Sequence, residues 1–455
     1  MNAPLSDPDI LEAYNSDALG YRGSPEGLYR PADEAEVAEI LRDGAASGRK
    51  VTPTALRSST TGGCVCHEGF LLSTEKLSGV VDIRPGPLTA VARPGVNLGE
   101  FKRTLEENGL FFPPDPTSEN DCTLGGAVAT NASGARTLKY GATRKWVRRI
   151  RAVLADGRAL ELRAASVDKN AAGYFGFQDP LQLFIGSEGT LGVITEVEVQ
   201  CLPPPADYLA VFAFFPGEAD TLRAVTAIRD ARWPVRCLEY FDLACLNLLR
   251  REKAAALPAH PGGMLFFEEE VAEGGAETAL EAWLERLEGL GAVVDDTVVG
   301  DTRARKQQMR DFRHAIPSGL NEQGIRYRDR GGRKLSTDWA VDYRLLPDVV
   351  PAVRGMCAAE GLGEVFCFGH LGNGHPHFNL LAPDETALRA ARRAVHAMCR
   401  HVCGLGGTIS AEHGIGKTKK EFLAYMYPPV VLEWMRAFKR AADPRGVLAP
   451  GNLFD

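Results

Sequence analysis

A chain of 455 residues with 45% apolar and 24% charged positions can bury large cores in two or three domains, and this composition excludes a disordered or collagen-like protein. A formal net charge of −7 argues against a nucleic-acid binder but leaves room for a local basic pocket that takes an anion. No apolar run reaches the ~18 residues of a transmembrane helix, and Met1-Asn2-Ala3-Pro4-Leu5-Ser6-Asp7 lacks the basic-then-apolar pattern of a secretory leader, so the expected location is the cytoplasm or the periphery of a membrane. The ten cysteines include the close pairs Cys64/Cys66 and Cys399/Cys403, neither repeated at zinc-ribbon spacing; they read as reduced, mostly buried thiols.

In chain order, residues 32–48 read as a helix with Asp33 as N-cap, Glu36 three residues on, and Val37, Ile40 and Leu41 as its apolar face. Lys50-Val51-Thr52-Pro53 is a short strand entering a loop. The next 150 or so residues alternate short apolar runs (VVDIRP, TAVARPG, WVRRIRAVLADG, GVITEVEVQCL) with Gly/Pro punctuation, the pattern of an α+β fold with many short strands. Pro203-Pro204-Pro205 is a stiff break and the first expected domain boundary. Beyond it, 208–215 and 263–270 read as strands, and 276–290 and 383–402 as amphipathic helices, which suggests an antiparallel sheet covered by helices. A helical tail ends at Leu448-Ala449-Pro450-Gly451-Asn452.

Three loop-like stretches are rich in glycine and hydroxyls: Pro53–Gly63, Pro114–Ser118 continuing through Thr123–Ala135, and Ile185–Thr195. Such loops present backbone N–H groups and small hydroxyls to a ligand that demands many hydrogen bonds, such as a pyrophosphate. None is a G-x-G-x-x-G turn after a strand, so a nicotinamide-type Rossmann unit is not supported. Further on, Phe368-Gly369-His370-Leu371-Gly372-Asn373-Gly374-His375-Pro376-His377-Phe378-Asn379 holds three of the nine histidines. The glycines favour a tight turn that sets His370 beside His377, and His377 shares a strand face with Asn379. Two neutral imidazoles and a carboxylate suit a divalent transition metal with open positions, and Glu412, in Ala411-Glu412-His413-Gly414-Ile415-Gly416-Lys417, is the candidate carboxylate.

The combination PPDPTS, TLGGAVATNASGA, KYG (139–141), FIGSEGTLGVITE, GHLGNGHPH and AEHGIGK, spread from about residue 30 to 455, resembles the FAD-binding flavoproteins related to vanillyl-alcohol oxidase and p-cresol methylhydroxylase. Within that superfamily it is similar to the FAD-linked D-lactate/D-2-hydroxyglutarate dehydrogenase and glycolate oxidase group. The resemblance implies a two-part FAD-binding domain of the p-cresol methylhydroxylase type over 1–205, an antiparallel-sheet-plus-helices cap over 206–395, and a segment 396–455 that returns to the FAD domain. It implies FAD contacts from Arg57, Ser58, Ser59, Thr60, Thr61 and Gly62; from Pro116, Thr117, Ser118, Thr123, Gly125 and Gly126; from Ala129, Asn131, Ser133, Gly134, Tyr140 and Gly141; and from Glu188, Gly189, Gly192, Val193, Ile194 and Asn452. The family usually carries a run of glycines where this chain has Ala55-Leu56-Arg57-Ser58-Ser59; hydroxyls at 58–61 and the charge of Arg57 are expected to replace part of that pyrophosphate cradle. No histidine is evident for covalent attachment of the flavin; His67 reads as a surface residue.

By the same resemblance, His370, His377 and Glu412 bind a divalent metal, Zn or Mn, and His413 is the catalytic base. Arg313, in Met309–Pro317, grips the substrate carboxylate with Asn379 assisting, and Lys334 is a further, weaker candidate for substrate contact. The family usually has Asp-Gly-Asn where this chain has Asn373-Gly374-His375, so His375 is an extra candidate ligand. The implied activity is oxidation of a D-2-hydroxy acid, with hydride to the flavin and electrons passed on to a quinone, a cytochrome or an electron-transfer flavoprotein; a homodimer fits as well. Two rival readings stay open: an alkyl-glycerone-phosphate synthase-like transferase, and a flavin-binding subunit without turnover of its own.

Overall fold

The computed structural model describes residues 3–167, 169–253, 257–258 and 262–454; Met1, Asn2 and Asp455, at the ends of the expected domains, lie outside them. The chain divides into two compact units, Met1–Gly134 with Gly141–Pro204 and Glu412–Asp455, and Ala135–Tyr140 with Pro205–Ala411. No helix among the described residues is long and apolar enough to cross a membrane.

Among the described residues the first unit holds eight strands: β1 (Gly27–Tyr29), β2 (Val51–Thr54), β3 (Phe70–Ser73), β4 (Val80–Arg84), β5 (Thr89–Ala92), β6 (Val147–Val153), β7 (Ala159–Arg163) and β8 (Val193–Gln200). β1, β3 and β2 form a parallel sheet in that order, and β4-β5-β8-β6-β7 an antiparallel one. The helix Glu34–Ser47 starts where Asp33 accepts from the Glu36 N–H at 2.9 Å, while the Glu36 carboxylate accepts from the Ala32 N–H. That reciprocal pair satisfies N–H groups the first turn would leave without a partner. In β8 the valines 197 and 199 point into the core, and the alternating Glu196 and Glu198 grip the buried Arg149 of β6 at 2.6 and 2.9 Å, so the period-2 pattern fixes the register.

The second unit is built on one antiparallel sheet of seven strands: β9 (Asp207–Phe215), β10 (Val235–Asp242), β11 (Gly263–Val271), β12 (Val298–Gly300), β13 (Gly331–Ser336), β14 (Val365–His370) and β15 (His375–Asp384), in the order β12-β9-β11-β10-β14-β15-β13. Its central strands read as continuous apolar runs because both faces are covered. Leu209, Val211, Ala213 and Phe215 enter one core; Ala210, Phe212 and Phe214 enter the other. The helix Arg303–Arg326 lies over the second core through Met309, Ile316 and Leu320. The domain break expected after residue 395 falls inside the helix Glu385–Gly404. That helix buries Ala391, Ala394, Met398 and Val402 in the first core of this sheet, so it cannot be the start of a returning segment; the second unit runs on to Ala411.

Candidate active site

Alternation along the strands decides which polar side chains share a surface. Phe366 and Phe368 of β14 enter the second core, so His370, on the same parity, faces that side too; on β15, Phe378 enters the first core, which sends His375, His377 and Asn379 to the second. The β14–β15 register sets His370 opposite His375, Phe368 opposite His377 and Phe366 opposite Asn379. The reversal depends on Gly374, whose φ of 71° is left-handed and whose Cβ, if present, would lie 1.8 Å from the Val341 carbonyl oxygen. Ring centroids are 4.4 Å apart for His375 and His377 and 5.4 Å for His370 and His377. One ring nitrogen from each of the three lies within 4.8 Å of the others.

A neighbouring strand orients the first of these rings. β10 pairs with β14 so that Tyr240 meets Gly369, and one step along the same register Glu239 faces His370. The Glu239 carboxylate contacts His370 Nδ1 at 2.6 Å and accepts from Arg313 Nε at 2.7 Å. Burial alone would raise the Glu239 carboxyl; the Arg313 guanidinium and the His370 ring beside it outweigh burial and hold it at about 2. His377 Nδ1 lies 3.4 Å from the Thr337 carbonyl oxygen. With Nδ1 of both rings turned to an oxygen, Nε2 is the nitrogen each can offer to a cation. Sequence reasoning missed Glu239; its signal was a carboxylate between the apolar Cys237-Leu238 and Tyr240-Phe241 of β10.

Of the expected substrate residues, Arg313 projects from the helix Arg303–Arg326 into the Glu239 pair. Asn379 is fully buried, donates to the His377 carbonyl at 3.2 Å, and its Oδ1 accepts no hydrogen bond. Lys334 sits on β13 opposite Leu381, whose side chain joins the second core, so the lysine shares that face; half-buried and without an ion pair among the described residues, its amine is pushed down to about 8 by burial.

In the first unit the three glycine-rich stretches meet. Glu188 N–H donates to the Ala129 carbonyl, Gly134 packs on the Asp115 carbonyl and Gly189 on the Pro53 ring. Asn131 is left-handed and accepts from the Arg144 N–H. Thr123 caps the turn through Gly126, Gly125 abuts Pro94, and Gly192, Val193 and Ile194 pack or pair against β6. The hydroxyls of Ser58, Ser59 and Thr60 are partly buried, and the buried Thr54 hydroxyl at the loop's mouth has no hydrogen-bond partner. That donor set fits a pyrophosphate.

Two expected cofactor residues have another occupation. The Glu188 carboxylate accepts from the Ile415 and Gly416 N–H groups, each at 2.7 Å, although burial pushes its carboxyl up. Asn452 donates to the Gly63 and Glu188 carbonyls. Glu188 directly, and Asn452 by accepting from Lys417 Nζ at 2.5 Å, therefore clamp the segment that carries Glu412 and His413. Arg57 donates to the Ala55 carbonyl at 2.8 Å and to Glu75 at 3.3 Å, and its guanidinium stacks 4.1 Å above the Tyr14 ring, so its charge is committed within the unit. Pro116, Thr117 and Ser118 form the turn that precedes Thr123, Gly141 turns left-handed, and Ser133 donates to Glu412 at 3.4 Å. Tyr140 belongs to the second unit, where its hydroxyl donates to Glu270. His413 is partly exposed, and its carbonyl accepts from the Thr61 hydroxyl. His67 lies at the surface, 3.0 Å from the Tyr21 hydroxyl.

Comparison with known proteins gives the family and the fold. Residues 25–163 match the model of an FAD binding domain, and residues 204–453 match that of the C-terminal domain of FAD linked oxidases. The mitochondrial D-2-hydroxyglutarate dehydrogenase of Bos taurus is 33% identical over 99% of this chain and 80% of its own length. The D-lactate dehydrogenase of Archaeoglobus fulgidus is 30% identical over 94% and 90%. Among solved structures, p-cresol methylhydroxylase with substrate bound superposes with a TM-score of 0.76 at 17% identity, covering 99% of this chain and 94% of that one, a likeness of fold.

Proposed function

The chain belongs to the FAD-linked oxidases, and from that premise we propose that it oxidises a D-2-hydroxy acid to the 2-oxo acid with FAD as its cofactor and a divalent metal at the histidines. The observation that carries the reading is the shared sheet face: three buried imidazoles, Arg313, Lys334 and Asn379 on one side of β13, β14 and β15, a cationic and ligand-rich surface matched to an acid bearing a neighbouring hydroxyl.

His370 and His377, with Glu412, would hold the cation; the loops around Ser58–Gly62, Pro116–Gly134 and Gly186–Ile194 would hold the flavin without a covalent bond. When bound, FAD supplies the two-electron acceptor and the cation supplies a Lewis acid. Arg313 grips the substrate carboxylate with its planar fork, already aimed by Glu239, and Lys334 adds a second positive charge. Asn379, buried on the same face, assists Arg313 in orienting the carboxylate. His413 takes the hydroxyl proton while the α-hydrogen leaves with its electron pair. Fixing carboxylate and hydroxyl together is where much of the rate gain arises.

The test is anaerobic. D-lactate or D-2-hydroxyglutarate should bleach the bound flavin with no acceptor present, and the L-enantiomers should do so far more slowly. At saturating substrate, His413→Ala should lower the reduction rate by roughly 10²- to 10⁴-fold. Equal bleaching by both enantiomers refutes the stereochemical reading, and wild-type reduction by His413→Ala refutes the base.

A further inference from the structure

We propose that His375 is a third imidazole ligand of this cation, which makes the site selective for a borderline ion such as Zn²⁺ over Mn²⁺. The inference rests on the metal reading above and goes beyond it. His375 is 3% exposed and stands on β15 directly opposite His370. It alternates with His377 onto the same sheet face, and its ring centroid is 4.4 Å from that of His377 and 5.6 Å from that of His370. Its ligand nitrogen falls within 4.8 Å of theirs.

Its orientation is built. Asp338 Oδ1 lies 3.3 Å from His375 Nε2, and Asp338 is itself held by the Ser410 hydroxyl at 3.0 Å and by the Ala411 N–H on its carbonyl. On either side the backbone is tied to the hairpin: Thr337 exchanges bonds with Phe378, and the Val341 N–H donates to the Gly374 carbonyl. The backbone that carries His375 is thus held beside the other two rings, with a carboxylate close to its far nitrogen. One divalent ion can gather the lone pairs of imidazoles set this close together. Imidazole nitrogen favours Zn²⁺ and its neighbours late in the first row; Mn²⁺ prefers carboxylate, carbonyl and water oxygen. Replacing the family's usual asparagine by histidine therefore exchanges an amide for a donor that suits Zn²⁺ better than Mn²⁺.

The experiment uses the FAD-loaded protein stripped of metal by chelation, titrated with Zn²⁺ and with Mn²⁺ against a competing chromophoric chelator. His375→Asn is expected to weaken Zn²⁺ binding by about 100-fold or more and Mn²⁺ by less than about 10-fold, given that even outer-shell partners contribute about 10- to 100-fold. Asp338→Asn should weaken Zn²⁺ by roughly 10-fold. X-ray absorption on the Zn²⁺-loaded wild type should count three imidazoles, a readout that needs no variant to fold. If His377→Ala loses Zn²⁺ while His375→Asn binds it as the wild type does, or absorption counts two imidazoles, the third-ligand inference falls and the metal reading stands. If the wild type binds neither ion, the metal reading falls with it.

Discussion

Replacing Glu239 with glutamine tests whether the sheet face is energetically one unit. Its carboxylate serves His370 at 2.6 Å and Arg313 at 2.7 Å, and it is 1% exposed. A charge-assisted bond contributes about 1.5–3 kcal/mol. Glutamine keeps one acceptor oxygen but presents its amide hydrogens to a second group that also donates, so about one bond and the charge are lost. The expected destabilisation is about 2–4 kcal/mol, since the guanidinium is left uncompensated in a largely buried place. A cycle sharpens the claim. Glu239→Leu alone strands the Arg313 charge, whereas Glu239→Leu with Arg313→Met removes both charges, and apolar replacement of a buried pair is often neutral or stabilising by about 1–4 kcal/mol. The double variant should therefore be the more stable of the two by about 2 kcal/mol. Urea unfolding followed by tryptophan fluorescence reports on this unit through the buried Trp283 and Trp339, and it should be run in chelator so that metal loss does not pass for loss of the ion pair. A Glu239→Gln variant within about 0.5 kcal/mol of wild type, the scatter of ordinary surface changes, would refute the reasoning, as would a double variant no more stable than Glu239→Leu.

Lys334, with its amine pushed down to about 8, should lose its proton as pH rises through that value, so binding of a 2-oxo acid product should weaken above pH ~8 by up to about 10-fold per unit, and Lys334→Met should bind weakly with no such limb; a wild-type Kd flat from pH ~7 to ~9.5 removes Lys334 from carboxylate binding. Gly416→Ala places a side chain at a φ of 52° and 2.2 Å from the Thr61 carbonyl oxygen; the left-handed backbone alone costs about 1–2 kcal/mol, so lowered thermal stability and faster FAD release are expected, and wild-type behaviour in both would contradict the loop contact. Arg57→Ala removes a guanidinium already engaged by Glu75 and Tyr14, so FAD affinity of the apoprotein should change by less than about 3-fold, with about 1 kcal/mol of stability lost; a weakening beyond about 10-fold would show that its charge reaches the cofactor.

Local pattern carried a large part of this protein. The capped helix Glu34–Ser47, the strands flanking Pro203-Pro204-Pro205 and the alternation that puts His377 and Asn379 on one face all follow from spacing and turn chemistry within a few residues. The histidine hairpin was legible for the same reason, because Gly374 and the strand period act over short range. Pairing across distant strands was not legible. Glu239 reaches His370 over 131 residues of sequence through the β10–β14 register, and nothing near Glu239 in the chain announces that partner. Likewise Glu188 reads as one more polar residue of a glycine loop until the fold brings Ile415 and Gly416 to its carboxylate, 227 and 228 residues away. The helix Glu385–Gly404 reads as amphipathic from sequence, but which core receives its apolar face depends on the sheet beneath it. Sequence thus determined the elements and the chemical types in the site, since propensity and periodicity are local; tertiary structure decided which carboxylate orients which ring, because a buried charge is tolerated where long-range packing delivers its partner.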